Sequence, residues 1–425
     1  MVLFSDLVRE FRFLSKQRYI VLFLFAVFLL SAFAVWSGVT DSHQQQVAIE
    51  RLLEKDAVDR ESVLAKQVDY GDAAYYSFHF TYDEPSPLAF AAMGQRDVYP
   101  WKHRIRMLAL EGQIHETDAE NPELSLLGRF DFAFIISVLL PIFVILLLHD
   151  LRSAEREAGR YDLLVVTAKN PYKLWTARAL VLSAFLAAAM LLPLIVGAVV
   201  MQAPLLKTGL MALLALGHLL FWVVLTMVVG RVMMARGQSS PRIASALLAG
   251  WLALTVILPV VGETVINQLI RSPNGGEIVL LQREAVNDAW DKPFAATWDE
   301  FLKTHPEWAE HTEMESSFHW KWYYAFQQAG DQQAAELSQA YRDAIVKKDH
   351  AAGLLSLFSP PMLVQRLMLS LAETDVAASL AYEQSVRDHH RALRLYFYPL
   401  LFEKGEFDSQ ELADIPVYGS HTVRY

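Results

Sequence analysis

The chain contains no cysteine. Disulfides, thiolate nucleophiles and cysteine-ligated metals are thereby excluded, even for segments that would face an oxidising compartment. GxxxxGK(S/T), HExxH and GxSxG are also missing, and with them the phosphate-cradling loop, the helical zinc-protease site and the nucleophile elbow. Ionisable residues are scarce inside the long apolar runs, where only Asp131 at an edge and His218 near the middle of one run stand out. Proton- or ion-coupled carriers place charged groups along their path, so the energy for any transport would enter from elsewhere.

What is present is apolar sequence. Of 425 residues, 54% are hydrophobic, and the mean hydropathy is +0.24, high for a soluble protein. Runs at 19–38, 132–149, 177–201, 208–230 and 243–262 each approach the roughly 20 residues that a helix needs to cross hydrocarbon. The expected fold is mainly α: a polytopic helical membrane protein with about five transmembrane helices and two extracytoplasmic, mostly helical segments. Residues 1–18 read as an amphipathic interfacial helix, because Phe4, Leu7, Val8, Phe11 and Leu14 recur at helical spacing, with Asp6, Arg9, Glu10 and Lys16 elsewhere around the wheel. Transmembrane helix 1 is expected over 19–38, an extracytoplasmic segment over 39–129, helices 2–5 within 130–262, and a second extracytoplasmic segment over 263–425. Ala32-Phe33-Ala34 resembles a signal-peptidase site, but the apolar run before it exceeds the usual length of a signal peptide.

Orientation follows from Lys and Arg beside the spans. Arg9, Arg12, Lys16 and Arg18, then Arg152, Arg156, Arg160, Lys169, Lys173 and Arg178, then Arg231, Arg236 and Arg242 mark three segments as cytoplasmic. The two long segments hold 16 and 24 acidic against 9 and 14 basic residues, so the excess of negative charge behind the net −10 lies in them, and no nucleic-acid partner is expected.

Within these segments QQQVAIERLLEKDAVDRESVLAKQ (45–68) reads as helix, AAYYSFHFTY (73–82) as strand or a buried extended piece, and RSPNGGE (271–277) as a turn. GLLSLFSPPMLVQRLMLSL (353–371) is apolar, yet its proline pair and Arg366 argue for a packed or interfacial helix and against a sixth crossing. His311, Glu315 and His319 would share a face if HTEMESSFH were helical; a solvated face is the simpler reading. His389 and His390 point to different sides of any helix. Pro141, Pro193 and Pro259 are candidate kinks within spans.

The insert HDLRSAEREAGRYDLLVVTAKNPYKLW (149–175) separates two apolar runs. It can continue as a helix, with Asp150, Arg152, Glu155, Arg156, Glu157 and Arg160 crowded together and Gly159 loosening the end. Spacing alone leaves two roles open: a docking element for a soluble partner, or an exit helix whose charges fix topology.

Glu155, Arg156, Glu157, Gly159, Leu163 and Leu164, followed by Lys169, Asn170, Pro171, Lys173 and Arg178, resemble the segment after the second span in permease subunits of type-2 ABC exporters, the ABC-2-type membrane proteins. SPLAFAAMGQRDVYP (86–100) and SLFSPPMLVQRLMLSLAETD (356–375) are similar to the branch with large extracytoplasmic segments. The resemblance implies a non-enzymatic permease in a bacterial cytoplasmic membrane, N-terminus inside, contacting lipid and pairing with a second permease chain. ATP and Mg would be bound by a separate ABC ATPase subunit, with no cofactor in this chain. The coupling loop would be 150–176, with Asp150, Arg152, Glu155, Arg156, Glu157, Gly159 and Arg160 as its contact residues. Family members usually carry a sixth span, which ELADIPVYGSHTVRY does not provide. A membrane-anchored scaffold without transport activity is the alternative from another class; an enzyme with its site in the acidic tail is a third.

Overall fold

The computed structural model describes residues 4–115, 130–167, 171–314, 316–403 and 406–419. The chain is mainly α and polytopic: Arg18–Leu64, Phe132–Glu157, Lys173–Val200, Leu205–Ala235 and Ser240–Leu269 are long and apolar enough to cross a membrane. We refer to these as spans 1 to 5. Helix α1 (Phe4–Leu14) precedes them and packs on span 3. Span 1 lies within α2 (Arg18–Leu64), whose 47 residues correspond to about 70 Å of rod. Only about 30 Å of that can lie in hydrocarbon. The segment expected to begin at residue 39 is therefore an unbroken continuation of the first span, and Arg60–Asp56 and Arg104–Asp59 pairs decorate its far half.

Spans 2 and 5 share a local feature. Each is interrupted by a π-helical turn, Ile135–Leu139 and Ala253–Ile257, and one leucine after each turn stands a proline, Pro141 or Pro259. A proline has no N–H and its ring crowds the carbonyl four residues back; widening the preceding turn relieves both problems. The surrounding stretches ISVLLPI (136–142) and LTVILPV (254–260) match in pattern. Both turns lend a carbonyl to a neighbour: Val138 O accepts from Trp251 Nε1 at 3.0 Å and Leu254 O from Ser359 Oγ at 2.7 Å. Pro193, the third candidate kink, sits inside the continuous helix Pro171–Val200 with no π-helical turn assigned before it.

The residues expected to avoid crossing do so. Trp320–Ser356 is a 37-residue helix that ends before Ser359, and Pro360–Leu371 forms a separate helix capped by the Ser359 hydroxyl. That shorter helix packs against spans 2, 4 and 5, with Val364 and Met368 in the core of the bundle. Arg366 is half-buried, and Asp349 grips its guanidinium with both oxygens at 2.6 and 2.9 Å.

Leu88–Met93 forms a wedge between the spans and the remaining structure. All six residues are at most 1% exposed. The wedge fits because span 1 has a glycine where it passes: a Cβ on Gly38 would lie 1.9 Å from the Phe90 carbonyl oxygen. Gly197 of span 3 makes room for the Phe90 ring in the same way. Asp131 caps the start of span 2 through Phe134 N–H at 2.8 Å and takes Met93 N–H at 2.9 Å. Thr374 donates to Ala92 O and accepts at its own carbonyl from Gln95 N–H.

Beyond the wedge lies a globular module. AAYYSFHFTY divides there into a helix, Tyr70–Tyr76, and a strand, His79–Tyr82, paired antiparallel with Lys102–Ile105. RSPNGGE is a turn only to Asn274, which opens the helix Gly275–Asp288 through a capping box with Glu277. Tyr70, Trp298, Phe301, Trp308, Trp322, Tyr324, Phe326 and Phe397 form an aromatic core beneath Trp320–Ser356 and Val376–Phe402. A polar spine crosses it. Asp331 accepts from Leu110 N–H and Gln282 Nε2 and pairs with Arg394 Nη2 at 2.6 Å, while Gln327 and Gln282 take Ala109 and Gly112 N–H, so the helix Leu110–His115 has its amide end satisfied.

HTEMESSFH is not one helix: Pro306–His311 is a 3-10 segment and His319 caps the next helix, so His311 and His319 do not share a helical face. Glu315 lies outside the described residues. His389 and His390 are both buried, His390 with its Nε2 2.9 Å from Leu108 O and His389 edge-on to His79.

Two predictions follow from this packing. Gly38→Ala should destabilise the protein by about 1–3 kcal/mol through overpacking, whereas Gly209→Ala, with open space around its new Cβ, should be neutral or gain up to about 1 kcal/mol of helix propensity. Thermal unfolding in nanodiscs compares them, and equal melting would rule out a tight wedge. Burial lowers the His79 pKa to about 3 and the His389 pKa to about 4, and drives His390 well below its ordinary value. These imidazoles fold neutral but protonate in the unfolded chain below its ordinary value of about 6.5. Their stabilisation is thus complete above that pH and drains away as pH falls toward 4 and 3. His79→Phe should flatten the acid limb of a denaturation-versus-pH curve.

Candidate functional site

The insert after span 2 was the strongest candidate in the sequence, and the structure shows how its charges are used. After Leu148 the chain makes an irregular turn and regains helix at Ser153–Glu157. Its C-terminus closes in a Schellman arrangement, with Arg160 N–H bonding Glu155 O at 2.9 Å and Gly159 N–H bonding Arg156 O at 3.0 Å. That closure needs a left-handed residue, and Gly159 has φ +68° with no neighbour near a would-be Cβ. A second short helix, Tyr161–Thr167, follows, and its Tyr161 ring stacks on Trp175.

Each charged side chain of the first short helix reaches a different part of the bundle. Arg156 Nη1 donates to Met234 O at 3.0 Å, placing a cation on the carbonyl end of span 4. Glu157 accepts from Ser240 N–H at 2.9 Å, placing an anion on the amide end of span 5. Ser153 meets the Ser240 hydroxyl at 2.7 Å. Glu155 pairs with Arg160 at 2.8 Å and with Arg178 of span 3 at 3.4 Å. Arg178 in turn holds Glu10 of α1 at 3.0 Å, and Glu10 is only 3% exposed.

Of the seven predicted contact residues, Glu155, Arg156, Glu157, Gly159 and Arg160 are thus brought together as a cross-link between helices. Arg152 is half-buried, lining a small crevice with Thr226, Met227 and Arg231. Asp150 contributes its carbonyl to Ala154 N–H. Lys169 and Asn170 lie outside the described residues. Glu10, expected on the polar side of a surface helix, is buried instead. Its partner is 168 positions away, so only the carboxylate's position beside Leu14 within an otherwise apolar pattern could have hinted at burial.

The surface left for contact lies over Arg156–Leu163 and Val166. Leu163 is 65% and Val166 82% exposed, one helical turn apart, flanked by Arg160 and Asp162. Among the described residues no group of three or more His, Asp or Glu side chains converges on a metal position.

Arg178→Ala would leave Glu10 buried with only Arg9, itself largely exposed, at 3.3 Å from its carboxylate. Loss of about 3–5 kcal/mol is expected for a broken buried pair, against less than about 1 kcal/mol for exposed Arg160→Ala. Chemical denaturation of the two variants measures the difference, and similar midpoints would show that Glu10 is not held by Arg178.

A family model described as a domain of unknown function (DUF3526) matches residues 276–420. No curated protein and no solved structure matches the chain.

Proposed function

We propose that this chain is the membrane-spanning permease subunit of an ATP-driven exporter of the type-2 ABC class, powered by a separate ATPase. The observation that carries the reading is the wiring of the insert. One short, exposed helix pair is tied by charge to α1 and to spans 3, 4 and 5, so a force applied there reaches four elements at once. A charge cluster that only fixed topology would have no need of these cross-links. The motif resemblance around Glu155–Leu164 supports the same reading.

On this reading α1 and the insert face the cytoplasm of a bacterial cell, and the module beyond the wedge faces outward. Closure of ATP- and Mg-loaded partner subunits pushes the insert and shifts the bundle between two packings. The π-helical turns of spans 2 and 5 are where such a shift bends the helices with least loss of hydrogen bonding. A second permease chain completes the passage, and this chain performs no chemistry itself. The spans hold few charged groups, in keeping with an energy source outside them.

The test must spare the cross-link, because reversing Glu155 and Arg156 would unpin the spans. Asp162 and Val166 are exposed, so Asp162→Lys with Val166→Glu alters only the outer face. Tagged wild-type chain is expected to co-purify with an ATPase showing vanadate-sensitive activity, and the double variant to lose it at an unchanged melting temperature. Absence of any ATPase from the wild-type preparation in mild detergents would turn the assignment toward a membrane-anchored scaffold.

A further inference from the structure

A second site lies in the globular module, far along the chain from the insert and independent of the permease reading. A half-enclosed cavity of about 240 Å³ is lined by Tyr99, His103, His115, Tyr341, Ser379 and Glu383, with Val98 and Ile114 as apolar walls. Its polar groups are incompletely used. His103 is only 8% exposed; its Nδ1 lies 3.1 Å from the Tyr382 hydroxyl, and its Nε2 has no hydrogen-bond partner. His115 Nε2 is too far from Glu111 Oε2, at 3.6 Å, for a hydrogen bond and is only loosely paired with it. A buried imidazole nitrogen without a hydrogen bond is costly, and His103 Nε2 borders this cavity with the loosely held His115 beside it.

Charge decides what kind of ligand fits. Behind the cavity Glu111 and Glu383 are paired with Arg387 at 2.8 and 3.3 Å, and Arg342 stands 3.9 Å from Glu111. Two carboxylates and two guanidiniums balance, so the wall offers no surplus to hold an ion. His103 and His115 lack a third converging ligand, which argues against a tetrahedral metal. Hydroxyl groups, by contrast, donate and accept, and so serve an imidazole nitrogen in either tautomer. The ring of Tyr341, edge-on to His115 with centroids 5.3 Å apart, supplies a flat apolar wall. In size, a cavity of about 150 Å³ holds benzene, which leaves room here for a six-membered ring with its substituents.

We propose that this cavity binds an uncharged, polyhydroxylated six-membered ring, a pyranose sugar, with His103, His115 and Glu383 taking its hydroxyls and Tyr341 its apolar face. The module would then recognise a glycan or a sugar-bearing molecule on its side of the membrane.

Full-length chain in lipid nanodiscs, free of glycosidic detergent, can be titrated with glucose and N-acetylglucosamine, with phenethylamine and 3-phenylpropionate as cationic and anionic rings of similar bulk. Saturation-transfer NMR and calorimetry read the binding. Saturable binding of at least one sugar is expected, weakened about tenfold by Glu383→Gln through loss of a charged hydrogen bond. Val98 is 69% exposed at the cavity rim, so Val98→Trp should block the cavity and abolish binding while leaving the melting temperature unchanged. Binding of neither sugar, tighter binding of the amine or the carboxylate, or sugar binding that survives Val98→Trp would overturn the proposal.

Discussion

The backbone of Phe90 rests directly against Gly38, and most of the molecule is arranged around that contact. A segment of irregular chain can lie against apolar helices only if its peptide groups find partners within the protein. Here Asp131 takes the amide of Met93 and Thr374 donates to the carbonyl of Ala92. The same two residues belong to the start of span 2 and to the junction between Pro360–Leu371 and Val376–Phe402. One seat therefore fixes span 1, span 2, span 3 and the module relative to one another, and the absence of a side chain at Gly38 and Gly197 makes it possible.

At the opposite end of the bundle the solution is electrostatic. Helix ends leave unsatisfied carbonyls and amides, and the insert meets two of them with a guanidinium on span 4 and a carboxylate on span 5. A third pairing buries Glu10 against Arg178. A buried pair of this kind adds little net stability, yet its disruption is severe, which makes it better suited to enforcing one register of α1 on span 3 than to strengthening the fold.

The sequence made the spans plain, because apolar runs near 20 residues have few other uses and each was found as a helix. Gly159 was legible as a helix end for the same kind of local reason. The region around 353–371 was rightly denied a crossing, but its placement among spans 2, 4 and 5 depends on Ser359 meeting Leu254 and on Asp349 neutralising Arg366, and neither pairing leaves a trace in local pattern. SPLAFAAMGQ stood out as a motif without disclosing that Phe90 needs two glycines from distant helices. The charges at 150–160 suggested an outward-facing patch; most turned inward because their partners, Met234, Ser240 and Arg178, become neighbours only after the bundle forms. Periodicity could not see the π-helical turns either, since the residues that widen them are ordinary helix formers until Pro141 and Pro259 are placed.

The long first helix has a mechanical meaning. Its rise per residue gives a rod more than twice as long as the hydrocarbon is thick, helical without interruption from the bilayer part to the part built into the module. Such a rod is a lever whose fulcrum is the lipid boundary. A tilt of the arm in the bilayer is carried along the rod to the arm built into the module, and with it to the strand Lys102–Ile105, reached through Arg104 and Asp59. Motion within the membrane and motion at the distal surface are, for this chain, two ends of one stiff beam.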